Sequence, residues 1–211
     1  MKNGFIYPAI NSLIEFINKI SLVELLKYIV RLVIKTEPNS EQGRSSDRIV
    51  VDFFIIFKFV LILAFWTLQI SVTIATVITW YFILYNLFTY FYRHVWSEDT
   101  FNRKDFTIDR MRRRFMNLII ALFYSHLCFA YLYAVPYKAE FQWGEKINVN
   151  NLTTNKALSA VWFSISNAVA ANYSYVTPHG QVGNAVAMIQ LLVTFVFLTI
   201  IIARSIPEPI A

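Results

Sequence analysis

A serine, a histidine and a cysteine lie close together in a strongly apolar stretch of this 211-residue chain. Ser125, His126 and Cys128 are residue types that act together in acyl transfer, with a hydroxyl or thiol as nucleophile and the imidazole as base. On a helix, however, side chains one or two positions apart point in different directions, and no carboxylate lies nearby to orient the imidazole. We therefore predict that the chain is not an enzyme and holds no cofactor.

His126 still requires an interpretation, because ionisable side chains inside membrane-spanning segments are rare and commonly functional. Two interpretations are open: a functional ionisable group, or a neutral imidazole hydrogen-bonded to a carbonyl of a neighbouring helix. Cys128 is the only cysteine. A single cysteine excludes an intramolecular disulfide framework and a cysteine-rich zinc site.

A second polar cluster, Asn172-Tyr173-Ser174-Tyr175, follows an apolar run at 157–170 and precedes an apolar block at 185–203. The apolar run is too short to span a bilayer, and Pro178 and Gly183 follow the polar residues. Non-helical backbone at membrane depth is tolerated only where it is buried in protein or lines a water-filled path. The pattern predicts a re-entrant segment between the apolar run and the apolar block.

A third cluster is basic and consists of four arginines: Arg110, Arg112, Arg113 and Arg114. Basic residues next to a membrane span bind anionic lipid headgroups, and the same residues can contact a cytosolic protein. We predict no direct nucleic-acid binding, because no recognised nucleic-acid fold accompanies this cluster.

The elements that must position these clusters are helices in a membrane. Apolar residues make up 57% of the chain and charged residues 15%, against about 25% charged in an ordinary soluble domain. A spanning helix needs about 20 residues, so the 44-residue block at 49–92 predicts two spans with a turn near Gln69 and Ser71. With the blocks at 115–135 and 185–203, the sequence predicts four transmembrane helices.

The loop charges predict the orientation of these spans. Residues 1–48 carry seven Lys and Arg, residues 93–114 carry another seven, and residues 137–156 carry three. Basic loops stay on the cytoplasmic side. We therefore expect a multi-pass protein of the inner (plasma) membrane with both termini in the cytoplasm.

The N-terminal region predicts two short amphipathic helices. Ser21-x-x-Glu24 has the pattern of a capping box, and the polar residues of 21–35 recur at helical spacing. Such helices lie on the membrane surface or pack against a partner. A polar linker is expected at 36–47. The apolar positions of the first helix are Ile10, Leu13, Ile14, Ile17 and Ile20.

The C-terminal half resembles the two-span pore module of the pore-loop potassium channel superfamily. Trp162-Phe163-Ser164-Ile165 is similar to the start of the pore helix, and Tyr173 takes the place of the filter tyrosine. Pro178 and Gly183 fall at the family spacings after the filter. Gln190 and Ile202-Ala203-Arg204 are similar to the inner helix and its cytoplasmic end in bacterial members.

The resemblance implies an all-α membrane protein that forms a homotetramer, with a re-entrant pore helix and loop between spans 3 and 4. It assigns the outer helix to 115–135, the pore helix to 157–169, the filter-like loop to 170–178 and the inner helix to 182–205. Ahead of this module (115–211) come a cytoplasmic region (1–48), a transmembrane hairpin (49–92) and a basic connector (93–114). The implied ligand is a monovalent cation. The implied pore residues are Ala170, Ala171, Asn172, Tyr173, Ser174 and Tyr175, supported by Trp162, Phe163, Ser164, Pro178 and Gly183.

The sequence departs from the family filter TVGYGD. Both filter glycines are absent, and Asn172, which tolerates left-handed dihedrals better than most residues, is the expected substitute for the first. Ala170 lacks the filter threonine's hydroxyl, and Tyr175 lacks the filter aspartate's carboxylate. Strict potassium selectivity is therefore not expected. A weakly selective pore, a closed vestigial pore and a sensing module stay open.

A second hypothesis is a membrane sensor or scaffold that recruits a cytosolic effector through residues 1–48 or the 93–114 loop. In architecture, a small four-span protein with a channel-like end and no enzymatic domain resembles the membrane subunit of the bacterial Kiwa anti-phage defence system. That resemblance implies a cytosolic DNA-binding partner.

Overall fold

A computed structural model describes residues 4–19, 21–35, 40–96, 108–144 and 154–205. Within these residues the chain forms seven α-helices and one two-stranded antiparallel sheet. Its contacts divide it into two compact units, residues 1–61 and residues 62–211. The helices are α1 (Ile6–Lys19), α2 (Leu22–Ile34), α3 (Glu41–Thr67), α4 (Thr73–Phe91), α5 (Ile108–Ala134), α6 (Thr154–Ala168) and α7 (Gly180–Ser205), and the strands are β1 (Phe141–Trp143) and β2 (Val176–Pro178).

Four of these helices are long and apolar enough to cross a membrane. The candidate spans are Ser45–Thr67, Thr73–Phe91, Phe115–Ala134 and Gly180–Ile200. They confirm the prediction of four spans by length and composition. These helices make the chain a multi-pass membrane protein.

Several predicted boundaries shift. α3 begins at Glu41 because the hydroxyl of Ser40 caps it by accepting a hydrogen bond from the backbone N–H of Gly43, at 3.0 Å. The prediction of a polar linker at 36–47 was therefore wrong for residues 41–47, while residues 36–39 lie outside the described part. α5 begins at Ile108, inside the predicted connector.

The C-terminal elements differ in a similar way. α6 starts three residues before the predicted pore helix and ends one residue earlier, and α7 starts at Gly180 rather than at 182. The β1–β2 pair was not predicted, because three-residue strands leave no period in a sequence. In this pair Phe141 lies opposite Pro178, and Trp143 lies opposite Val176.

The turn between α3 and α4 forms at the predicted place without glycine or proline. Gln69 adopts a left-handed conformation with φ of 48°. The N–H of Ile70 donates to the carbonyl of Phe65, and the N–H of Gln69 donates to the carbonyl of Trp66. These bonds form a Schellman motif. The side-chain amide of Gln69 also donates to the carbonyl of Trp66, at 2.8 Å, which adds a hydrogen bond at a position where glycine is commoner.

Within the unit 62–211, α4 packs against α5 through polar side chains in an apolar interface. The amide of Asn86, which is buried, donates to the carbonyl of Ala121 at 2.9 Å and to the hydroxyl of Ser125 at 3.1 Å. The hydroxyl of Tyr90 donates to the carbonyl of Asn117 at 2.8 Å. Buried polar groups of this kind fix the register of two spans, because an unpartnered one is costly in an apolar environment.

Candidate functional site

The candidate site consists of residues 169–175 and of the elements that flank them, which are α5, α6, α7 and the small sheet. The sheet joins the segment after α5 to the segment before α7. The N–H of Gly144 extends the pairing by donating to the carbonyl of Tyr175, at 2.8 Å, and the N–H of His179 donates to the carbonyl of Glu140, at 2.6 Å. The C-terminal end of the loop is thereby held on the sheet.

Gly183 is required by the closeness of two backbones. A Cβ atom at this position would lie 2.3 Å from the carbonyl oxygen of Glu140. Gly180, the first residue of α7, has φ of +72°, which suits glycine. Gly183, predicted as a supporting residue, therefore lies where the first turn of α7 meets the turn that precedes β1.

Phe163 anchors α6 in an aromatic cluster. Its ring centroid lies 5.0 Å from that of Tyr133 on α5 and 5.7 Å from that of Phe141 on β1. The rings of Tyr133 and Phe141 are 4.7 Å apart. Aromatic pairs at these separations add stability beyond their buried area, so the cluster ties α6 to both α5 and the sheet.

Gln190 lies at the centre of a buried polar network that joins three helices, and its side chain is 0% exposed. Its amide nitrogen donates to the carbonyl of Ser164 at 2.8 Å and to the hydroxyl of Ser164 at 2.7 Å. Its amide oxygen accepts from the hydroxyl of Tyr133 at 2.5 Å and from the amide of Asn167 at 2.9 Å. Every polar atom of the side chain is satisfied, as a buried amide in an apolar setting requires.

The network also includes His126. The amide nitrogen of Gln190 also lies 3.3 Å from Nδ1 of His126, which is a longer contact than its two bonds to Ser164, and those two bonds already use both amide hydrogens. The hydroxyl of Ser164 donates to the carbonyl of His126 at 2.9 Å. The imidazole of His126 thus lies against a side chain of α7, and its backbone carbonyl is tied to α6.

The contacts of Ser164 with His126 and Gln190 show which levels of α5 and α7 lie beside the C-terminal half of α6. His126 lies eight residues before the end of α5 and Gln190 ten residues after the start of α7. At 1.5 Å per residue these are distances of about 12 Å and about 15 Å. The C-terminal end of α6 therefore meets α5 and α7 partway along their length.

α6 ends in a Schellman motif at Ala170. The N–H of Ala171 donates to the carbonyl of Ser166 at 2.7 Å, and the N–H of Ala170 donates to the carbonyl of Asn167 at 3.0 Å. Ala170 has φ of 55°, and Asn172 is not among the described residues with positive φ. The expectation that Asn172 takes a left-handed conformation was therefore wrong; the helix C-cap imposes this conformation two residues earlier.

The six predicted pore residues divide into two parts. The carbonyl of Tyr173 accepts from the N–H of Val176 at 3.2 Å, and the carbonyl of Tyr175 accepts from Gly144. The carbonyls of Ala170, Ala171 and Asn172 accept no hydrogen bond from any described residue. We call Ala170–Asn172 the inner segment. Its residues and Ser174 are exposed, and Tyr173 is half-buried.

One side of α6, continued by the residue that follows it, carries apolar side chains that the described part of the chain leaves exposed. Trp162, predicted as a supporting residue, is 50% exposed. Positions separated by three and four residues share one side of a helix. The exposed residues in this series are Leu158, Trp162, Ile165 and Val169, and we call them the α6 seam.

Charged groups lie near the sheet and at the start of α5. Lys156 is 6% exposed, and its ammonium lies 5.2 Å from the ring centroid of Trp143. Burial lowers the pKa of Lys156, and the charge of Lys138 lowers it further. Of the predicted basic cluster, Arg112 and Arg113 are exposed, whereas the side chains of Arg110 and Arg114 lie outside the described part.

Two residues of the network, Tyr133 and Asn167, were not predicted from the sequence. Asn167 follows Ser164 by three residues and therefore shares its side of α6, which is a usable signal in an apolar helix. Tyr133 had no such signal, because tyrosine near a span end is equally typical of a membrane interface. In the described residues no group of three or more His, Cys, Asp and Glu side chains is placed to hold a metal ion.

Comparison with known protein families, with curated proteins and with solved structures finds no match.

Proposed function

We propose that the chain is the subunit of a homotetrameric, weakly selective pore for monovalent cations, lined by the inner segment. The observation that carries the proposal is a stretch of non-helical backbone with unengaged carbonyls, held partway along two membrane spans. The hydrocarbon core of a bilayer is about 30 Å thick, so depths of about 12 Å to about 15 Å correspond to its middle. Backbone at that depth needs water, protein or an ion as a partner.

The α6 seam supports assembly around an axis. One loop cannot surround an ion, whereas four loops related by rotation can. The seam presents apolar side chains on the same helix that carries the inner segment, and α7 exposes Met188, Leu192 and Phe195 along one side. Packing the α6 seam against a second copy would cover it and bring the inner segments of neighbouring copies together. We propose a tetramer because the pore-loop resemblance implies four copies around one axis.

The charge distribution favours cations over anions. The C-terminal end of a helix carries a partial negative charge of roughly half an elementary charge, and α6 ends at the inner segment. Three unengaged carbonyls add negative ends of dipoles. No formal charge is among the inner segment residues, so the attraction for cations is modest.

Weak selectivity follows from the same geometry. Rows of carbonyls that replace the hydration shell select between potassium and sodium. Here the carbonyls of Tyr173 and Tyr175 accept backbone hydrogen bonds, which leaves the carbonyls of the inner segment and of Ser174 without a partner among the described residues. Ala170 adds no hydroxyl and Tyr175 no carboxylate. We expect potassium and sodium to pass at similar rates.

Ion flux from liposomes tests the proposal. Purified protein should release potassium and sodium at comparable rates and should run as a tetramer by light scattering. Asn172→Gly and Tyr173→Ala should change the flux, whereas Gln142→Ala, on the exposed side of β1, should not. A tetramer with no flux would exclude constitutive conduction. A monomer would exclude the proposed pore.

A second candidate function is a membrane sensor or scaffold that recruits a cytosolic effector, as in an anti-phage complex of the Kiwa kind. The observation that favours it is the engagement of the Tyr173 and Tyr175 carbonyls, which ties the outer half of the loop to the sheet. A sealed module of this kind needs no ion. Co-purification of a soluble partner that depends on residues 1–48 or 93–114, together with absence of flux, would favour this function.

A further inference from the structure

The polar side of α2 is satisfied within the unit 1–61. Glu24, Lys27 and Arg31 recur at helical spacing, and the Lys27 ammonium lies 2.6 Å from the Glu24 carboxylate. The guanidinium of Arg31 binds Asp47 of α3 with two hydrogen bonds, of which Nε to Oδ1 measures 2.8 Å. This bond to Asp47 is the largest cause of the raised pKa of Arg31. The charged stripe of α2 is thus turned towards α3.

The rest of α2 is apolar, and several of its side chains are left exposed by the described part of the chain. Leu32 is 62% exposed and Val33 is 73% exposed. α1 also has an exposed apolar side. Its C-terminal end adjoins α2, because the N–H of Ser21 donates to the carbonyl of Asn18. The other exposed apolar residues of the two helices are Ile6, Tyr7, Ile10, Leu13, Phe16 and Ile17 of α1 and Leu25, Tyr28 and Ile29 of α2.

The position of Asp47 identifies what covers this face. The first candidate span starts at Ser45, so the Arg31–Asp47 pair holds α2 beside the point where α3 enters the membrane. An amphipathic helix fixed at that level meets headgroups and the upper acyl chains. Lys19 and Lys35 lie at the ends of α1 and α2, and tyrosines lie along both apolar faces, which are residue types typical of the membrane interface.

We propose that α1 and α2 lie in the surface of the phospholipid bilayer, with their apolar faces in the acyl boundary, and that the Arg31–Asp47 pair sets the depth of α2. The occupant of this face is lipid rather than a cytosolic protein or a second copy of the chain. The inference does not depend on whether the pore module conducts.

Spin labels on single cysteines of the full chain in phosphatidylcholine–phosphatidylglycerol vesicles test this arrangement. The background is Cys128→Ala, and labels are attached through Leu13→Cys and Leu32→Cys on the apolar faces and through Ser12→Cys, exposed on the polar side of α1. Dissolved oxygen concentrates in lipid, and a nickel chelate stays in water. The ratio of oxygen to nickel collisions should be several-fold higher at positions 13 and 32 than at position 12.

Two results would overturn the proposal. Equal nickel accessibility at positions 12 and 32 would place the face in water, and shielding of position 32 from both agents would place it under protein. The role of the ion pair has its own test. Arg31→Asp should lower the collision ratio at position 32, and the combined exchange Arg31→Asp with Asp47→Arg should restore it. A ratio unchanged by Arg31→Asp would contradict the depth-setting role.

Discussion

The N-terminal helices and the C-terminal module handle polar groups in opposite ways. In the unit 62–211, the polar side chains converge inward, where Gln190 is fully buried and joins α5, α6 and α7. In the unit 1–61, the charged side of α2 pairs with the start of α3, and the apolar sides of α1 and α2 stay exposed. The first unit therefore presents an apolar surface outward, whereas in the second unit the buried polar groups fix the helices that flank the loop.

The largest expected effect comes from Gly183→Ala. The added Cβ would lie 2.3 Å from the carbonyl oxygen of Glu140, so α7 and the turn before β1 must separate. We expect a loss of about 3 kcal/mol in unfolding free energy, the upper end of the range for overpacking. Gly144→Ala is the matched control, since its Cβ would make contacts of 3.5 Å with Tyr175. Thermal unfolding in detergent compares the two, and equal melting temperatures would contradict the close approach.

The next effect tests the inward convergence itself. Gln190→Leu leaves Tyr133, Asn167 and Ser164 without their shared partner, which should cost about 2 kcal/mol. Thr199→Val is the control on the same helix, because that exposed hydroxyl donates only to the carbonyl of Phe195 one turn away. Chemical unfolding curves measure both. Equal unfolding midpoints for the two variants would contradict a stabilising role of the Gln190 network.

A smaller effect, of opposite sign, locates the left-handed residue of the loop. Ala170→Gly should stabilise the protein by up to about 1 kcal/mol, because glycine adopts the C-cap conformation without strain. Asn172→Gly should not stabilise it, because position 172 has no positive φ. In the N-terminal unit, Lys35 has φ of 54° at the C-cap of α2, so Lys35→Gly should give a comparable gain. Stabilisation by Asn172→Gly instead of Ala170→Gly would place the left-handed residue at position 172 and contradict its assignment to position 170.

The smallest effect is a pH dependence at the sheet. Because burial lowers the pKa of Lys156, the unfolded chain binds more protons than the folded chain between that lowered pKa and the ordinary value of 10.5. Stability should therefore rise with pH through this window. Lys156→Met should abolish the rise, and Lys138→Met should reduce it. Unfolding midpoints measured from pH 7 to pH 10.5 test this dependence. If the midpoint of Lys156→Met still rises with pH as in the unmodified protein, Lys156 is not its cause.

Much of the fold could be predicted from the sequence because membrane spans have a strong signal. Runs of about 20 apolar residues gave the four spans, and helical spacing gave α1 and α2. The capping box was right only in part: the hydroxyl of Ser21 accepts from the N–H of Glu24, whereas the Glu24 carboxylate pairs with Lys27. The Glu24 carboxylate could pair with the backbone N–H of Ser21, three residues before it, or with Lys27, three residues after it. The sequence does not decide between these partners.

The site was less predictable. The spacing of Pro178 and Gly183 singled out the segment before and within the start of α7, and Gly183 has a steric reason at its position. The dihedral angles of the loop were not predictable, because the C-cap of α6 determines them through backbone bonds that any sequence can form. The β1–β2 pair and the approach of Glu140 to Gly183 are tertiary contacts, and neither leaves a periodic pattern.

The most direct test of the central claim is block of ion flux at the inner segment. In the Cys128→Ala background, Asn172→Cys should make liposome flux sensitive to cadmium ions and to a cationic thiol reagent, because position 172 would line the ion path. Gln142→Cys, exposed on β1, should leave the flux insensitive to both. Flux that persists unchanged when position 172 is modified, or the absence of flux from every variant, would contradict a cation pathway through this loop.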